Sequence, residues 1–166
     1  YYGTIVTIHM PAGFTKSYAE RLNRSCKMEV KEAEDGDKVY AGRVLIAPGD
    51  FQMYLRKSGG DYFVAVKKDD IYNHHRPAVD PMFFTAAEAA KTNLIALIMT
   101  GMGRDGAEGI TKIKESGGYT IAQDEKSSVV FGMPKAAIEL GGIDKIISLE
   151  NITKHLIDLK NVKGGL

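Results

Sequence analysis

Residues 94–99, Leu-Ile-Ala-Leu-Ile-Met, run directly into Thr100-Gly101-Met102-Gly103-Arg104-Asp105-Gly106-Ala107. An apolar run this short, with no polar face to show to water, is the pattern of a strand covered on both sides. The glycines allow a tight turn into a helix, which stops at Gly117-Gly118 before strand character resumes over 119–122. This is a βαβ unit, and it commits the chain to parallel strand pairing.

The rest of the sequence extends the alternation. Residues 4–8 form a β-branched run read as a strand buried on both faces, and it ends at His9-Met10-Pro11-Ala12-Gly13. His9 is therefore placed at a strand's carboxyl end. Thr15 is expected to cap a helix that buries Tyr18, Ala19, Leu22 and Cys26 and ends near Cys26. Residues 28–67 read as a hairpin insertion of short strands at 29–33, 43–47, 51–56 and 61–67, with Ser58-Gly59-Gly60 turning the last pair. Asp80-Pro81 supplies an N-cap and first helical position for 82–91. A helix around 134–140, a weak strand over 145–148 and a terminal helix over 151–159 complete the pattern. The expected fold is α/β: one doubly wound, mostly parallel sheet with helices on both faces and a small antiparallel hairpin insertion, a single domain across 1–166.

Charge excludes some functions. Twenty-two Lys and Arg against 21 Asp and Glu give a formal net charge of +1, so no bulk field draws the chain to nucleic acid or anionic lipid. The longest apolar run falls far short of the roughly 18 to 20 residues that cross a bilayer, so no membrane insertion is expected. The lone Cys26 cannot form an internal disulfide, which fits a cytoplasmic protein. His74-His75 and His155 lack metal-ligand spacing, so neither a metal nor a cofactor is expected.

Three readings compete at the glycine turn. Gly101-Met102-Gly103-Arg104-Asp105-Gly106 matches G-x-G-x-x-G, with Asp124-Glu125 near the offset of a ribose-binding acid, although Asp105 would oppose a pyrophosphate. A structural reading has the turn bring strand and helix together while Asp105 caps the helix. A catalytic reading uses the carboxyl edge of a parallel sheet, where His9 and Asp105 can meet as base and orienting carboxylate. In that case the loop residues Gly101 and Gly103 line the site, and the Met102 N–H can donate to an oxyanion. The nucleophile is the missing part. No G-x-S-x-G occurs, Ser127-Ser128 is the one serine pair near the sheet edge, and Cys26 reads as helix core.

The strings His9-Met10-Pro11-Ala12-Gly13-Phe14-Thr15, Ile46-Ala47-Pro48-Gly49-Asp50, His75-Arg76-Pro77-Ala78-Val79-Asp80, Thr100 to Ala107 and Val130-Phe131-Gly132-Met133-Pro134, in this order, resemble the catalytic domain of the CheB protein-glutamate methylesterases of chemotaxis. The resemblance covers essentially the whole chain. It implies hydrolysis of glutamyl methyl esters on the signalling helices of methyl-accepting chemoreceptors, with methanol released and some glutamines deamidated. It implies His9 as general base, Asp105 as its orienting carboxylate and Met102 as an oxyanion-hole donor. The family's serine lies in a Ser-Thr-Gly-Gly turn upstream of the histidine strand. A start at Tyr1-Tyr2-Gly3, without Met, reads as a chain cut after that turn, with no receiver domain. A receptor-binding remnant of the same fold, without catalysis, is the competing class.

Overall fold

The computed structural model describes residues 1–163. Nine strands and five helices alternate among these residues: β1 (Thr4–Val6), α1 (Phe14–Ser25), β2 (Glu29–Glu32), β3 (Lys38–Val39), β4 (Arg43–Ile46), β5 (Gln52–Ser58), β6 (Asp61–Lys67), α2 (Val79–Ala90), β7 (Ile95–Ile98), α3 (Ala107–Glu115), β8 (Tyr119–Gln123), α4 (Met133–Glu139), β9 (Lys145–Ile147) and α5 (Leu149–Lys163).

They form two parallel three-stranded sheets, β1-β4-β2 and β7-β8-β9, and one antiparallel sheet, β3-β6-β5. The α/β class and the parallel pairing are as the sequence suggests. In the second sheet the two-residue period sorts side chains cleanly. Ala96, Ile98 and Ala122 face Ile110, Ile113 and Ala136 of α3 and α4, whereas Ile95, Leu97 and Ile121 face Ile152 and Leu156 of α5. In the first sheet Ile46 and Val30 pack on Ala19 and Leu22 of α1, while Leu45 joins the main core. Ile110, Ile113, Ile121 and Leu45 are fully buried, and each such side chain stabilises the fold by roughly 1.5–3 kcal/mol.

Several local expectations are corrected. β1 is only three residues long and half-buried rather than covered on both faces, because one of its edges pairs with β4 and the other has no strand beside it among the described residues. The insertion is smaller than expected: β2 and β4 pair in parallel within the first sheet, and only β5, β6 and the two-residue β3 are antiparallel. Cys26 is exposed, since α1 ends at Ser25 and the extended backbone of Cys26 turns its side chain off the helix. Thr15 does not cap α1. The cap position is Gly13, and the buried Thr15 hydroxyl instead donates to Glu32 Oε2 at 2.6 Å and accepts from the Gly49 N–H at 2.9 Å, tying α1 to β2 and to the loop after β4. α2 begins three residues earlier than expected, with Ala78 at its cap, so Asp80 lies inside the first turn.

Ile5 of β1 and Leu94, just before β7, pack against the same cluster of Leu55, Ala86 and Ala90, and His9 and Asp105 meet in the loops beyond the carboxyl ends of β1 and β7. No ladder joins the two strands, so each sheet presents an unpaired parallel edge among the described residues.

Candidate active site

Beyond β1 the backbone leaves the sheet, and His9 projects over the loop that follows β7. Its Nε2 lies 2.6 Å from Asp105 Oδ2. The same oxygen accepts the Val79 N–H at 2.7 Å, and Asp105 Oδ1 accepts the Asp80 N–H at 3.0 Å. Asp105 thus caps the amino terminus of α2 and not that of α3, whose cap is Gly106 in the left-handed region at φ 90°. The cap arrives from the far side of the sheet edge, which no local rule for Asp at a helix start describes.

The protonation states follow from these contacts. Burial alone would raise the Asp105 pKa, but the His9 bond and the two backbone N–H donors outweigh it and hold the carboxyl below its ordinary range. An ionised carboxylate only accepts, so His9 Nε2 must carry the shared hydrogen. The neutral ring then keeps its lone pair on Nδ1, which is the basic nitrogen. The fold brings His9 and Asp105 together, as the sequence suggests.

The glycine turn is held open by its neighbours. Gly101 N–H donates to Val130 O at 3.0 Å, and Gly101 O accepts from Gly132 N–H and Met133 N–H at 3.1 and 2.9 Å. Thr100 N–H donates to the buried Gln123 side chain at 2.8 Å. Met102 is 79% exposed, and its N–H meets no acceptor among the described residues. An unpaired backbone N–H on such a turn is free to donate to a bound group.

The serine pair does not complete a triad. Ser127 Oγ bonds Asp124 Oδ1 and accepts from Leu149 N–H, and Ser128 Oγ donates to Asp124 O. These bonds staple the loop that clips the glycine turn. They also occupy Asp124, the acid that a dinucleotide site would need for a ribose, and Asp105 is committed to His9 and α2. No group of three or more metal-ligating side chains occurs among the described residues. No described helix is long and apolar enough to cross a membrane.

One neighbour of His9 escapes sequence reasoning. His75 stacks on it with ring centroids 3.6 Å apart and planes 7° off parallel. Asp80, read from sequence as a simple cap, is buried beside Asp105 and accepts from Gly109 N–H at 2.6 Å and Asn73 Nδ2 at 3.0 Å. Burial, countered by the backbone N–H groups of Gly109 and Gly106 and reinforced by the charge of Asp105, pushes its pKa up to about 6.

Comparison with known proteins places this geometry among relatives. The sequence profile of the family described as CheB methylesterase matches residues 2–156. A Rhizobium johnstonii protein named protein-glutamate methylesterase/protein-glutamine glutaminase 2 is 51% identical over 155 residues, which are 93% of this chain and 42% of that protein. A Pseudomonas aeruginosa protein of the same name is 48% identical over 163 residues, 98% of this chain and 47% of that protein. The chain spans less than half the length of these curated relatives. The crystal structure of the Thermotoga maritima CheB methylesterase catalytic domain aligns with a TM-score of 0.90 at 48% identity, covering 93% of this chain and 82% of that one.

Proposed function

Because the chain belongs to the CheB methylesterase family, we propose that it carries the base, the orienting carboxylate and an oxyanion donor of an enzyme that hydrolyses glutamyl methyl esters on chemoreceptor signalling helices. The 2.6 Å His9–Asp105 bond carries this reading. The relatives' names add glutamine deamidation, which is the same acyl transfer with ammonia in place of methanol as the leaving group.

The nucleophile in this reading is a serine at the end of a strand outside this sequence. The unpaired parallel edges of β1 and β7 support it: a parallel strand between them would bring its carboxyl end beside His9. The serine oxygen attacks the ester carbonyl as His9 Nδ1 takes its proton, and Asp105 stabilises the imidazolium. The Met102 N–H donates to the oxygen on which negative charge develops. Collapse of the tetrahedral intermediate expels methanol, protonated by His9, and leaves an acyl-enzyme. Water then loses a proton to His9 and attacks the acyl carbon, and as the acyl–serine bond breaks His9 returns that proton to the serine oxygen, releasing the glutamate.

Methanol release from methylated chemoreceptor membranes by the full-length protein tests the proposal. Release that falls by orders of magnitude in His9→Ala is expected. Undiminished release in that variant overturns the assignment.

A further inference from the structure

His75 reaches His9 from a loop that is fixed at many points. Tyr72 and His75 exchange backbone hydrogen bonds of 3.0 and 2.8 Å. Gln52, 1% exposed, donates to His75 O at 3.1 Å and accepts the Ala78 N–H at 2.8 Å. Arg76 forms an ion pair with Asp50, and the Asp50 N–H returns a bond to Arg76 O at 3.1 Å. Asn73 and His74 take left-handed φ values of 48° and 66°, which give the loop the sharp bend that brings His75 back over the site. A loop built this firmly delivers its ring to one place.

We propose that His75 is a positioning residue for His9: its ring, clamped flat on the imidazole, fixes the imidazole plane and so keeps Nε2 on Asp105 while Nδ1 stays free to take a proton. A single hydrogen bond at Nε2 leaves the His9 ring free to swing about that bond. A flat neighbour 3.6 Å away removes this freedom. The charged and titratable groups around His75 are His9, Asp105 and His74. Burial first, then the proximity of His9, pushes the His75 pKa below its ordinary value. His75 therefore remains neutral near pH 7 and sets no second positive charge against the imidazolium that forms on His9 during turnover.

This inference rests on the reading of His9 as the general base, and one arm of its test does not need catalysis. In the chain itself, proton NMR follows the His9 Nε2–H resonance and its exchange with water. Slow exchange is expected in the wild type and in His75→Phe, which keeps a flat ring, and exchange faster by about tenfold or more in His75→Ala. In the full-length protein kcat should fall about tenfold or more in His75→Ala, with KM within about twofold, and recover in His75→Phe. Should His75→Ala fail to fold, His75→Leu, bulky but not flat, replaces it with the same expectations. Slow exchange and unchanged kcat without the flat ring overturn the proposal, as does a His75→Phe variant as impaired as His75→Ala. If the wild type releases no methanol, the functional reading fails, and the N–H exchange still decides the role of His75.

Discussion

Asp80 and Asp105 each hold the start of the helix that the other belongs to or precedes. Asp105, just before α3, accepts the Val79 and Asp80 N–H groups that open α2, and Asp80, in the first turn of α2, accepts the Gly109 N–H in α3 at 2.6 Å. Both carboxylates are essentially buried, at 2% and 1% exposure. Two helix amino termini supply partial positive charge to two nearby acids, and His9 supplies a further donor to one of them. Asp105 therefore stays ionised and fixes His9, while Asp80 bears the cost of a second buried charge. Close packing requires Gly109, where a Cβ would lie 2.5 Å from Phe83 Cβ and 2.9 Å from Asp80 Oδ1.

Asp80→Asn should remove a pH dependence of stability. The folded-state pKa of Asp80, about 6, lies above its ordinary 3.8. Between these values the folded protein binds more protons than the unfolded chain, so this group's contribution to stability falls as pH rises and levels off above about 6. The shift corresponds to a penalty of about 3 kcal/mol at neutral pH. Asp105, held below 3.8, acts in the opposite sense and loses its stabilisation only as pH falls below that value. Urea unfolding from pH 4 to 7 should show a falling component in the wild type that is absent from Asp80→Asn. The variant should be the more stable at pH 7, by up to the same 3 kcal/mol. Identical slopes in the two proteins would refute the assignment.

On the proposed mechanism, Asp105→Asn should disable the base without removing it. An amide in place of the carboxylate sets an N–H₂ group against either His9 Nε2 or a backbone N–H of α2, which favours the wrong imidazole tautomer. A kcat loss on the order of 10⁴-fold is expected in the full-length protein. His9→Gln should cost a comparable factor, and the double variant should be little worse than the more damaged single one, since the pair acts as a unit. Losses that multiply in the double variant would mean that the two residues act separately.

The strand-and-helix alternation was legible because it rests on local patterns. Residues 94–98 are uniformly apolar, Gly117-Gly118 ends α3, and Ser58-Gly59-Gly60 turns β5 into β6. Strand partnership is not local. β2 and β4 look like members of a hairpin in sequence but lie parallel in the sheet of β1. The site divides in the same way. The rule that parallel sheets act at their carboxyl edge brought His9 to Asp105, whereas the caps followed no local rule: Thr15 bonds to β2 and Asp105 caps α2. His75 was legible only as a member of the His-Arg-Pro string, because its stacking on His9 depends on anchors distant in sequence, Gln52 at the start of β5 and Asp50 in the turn before it.

Thr15→Val tests the link between α1 and the loop after β4. The substitution keeps the shape and removes a fully buried hydroxyl that serves Glu32 and the Gly49 N–H. Leaving both partners unsatisfied should cost about 1–3 kcal/mol, read as a lower urea midpoint with an unchanged slope. Thr15→Ser, which retains the hydroxyl, should recover most of that loss. A valine variant as stable as the wild type would mean that these bonds contribute little.

Gly132→Ala tests whether the glycine turn must keep its shape for catalysis. A Cβ at this position would lie 2.7 Å from Gly101 O and 3.0 Å from Gly103 N, both backbone atoms on either side of Met102. Neither can rotate away as a side chain would, so the turn itself must shift, and with it the Met102 N–H. Gly132 has φ −95°, which alanine adopts freely, so close approach and not backbone strain requires the glycine. If Met102 N–H is the oxyanion donor, as proposed, its displacement should lower kcat by roughly 10²-fold, with substrate affinity much less affected. By contrast Gly103→Ala, whose Cβ meets nothing within 4 Å but whose φ of 91° disfavours a side chain, should act first on stability. Steady-state methanol release with thermal unfolding of both variants separates the two effects. A Gly132→Ala enzyme with wild-type kcat would remove Met102 from the mechanism.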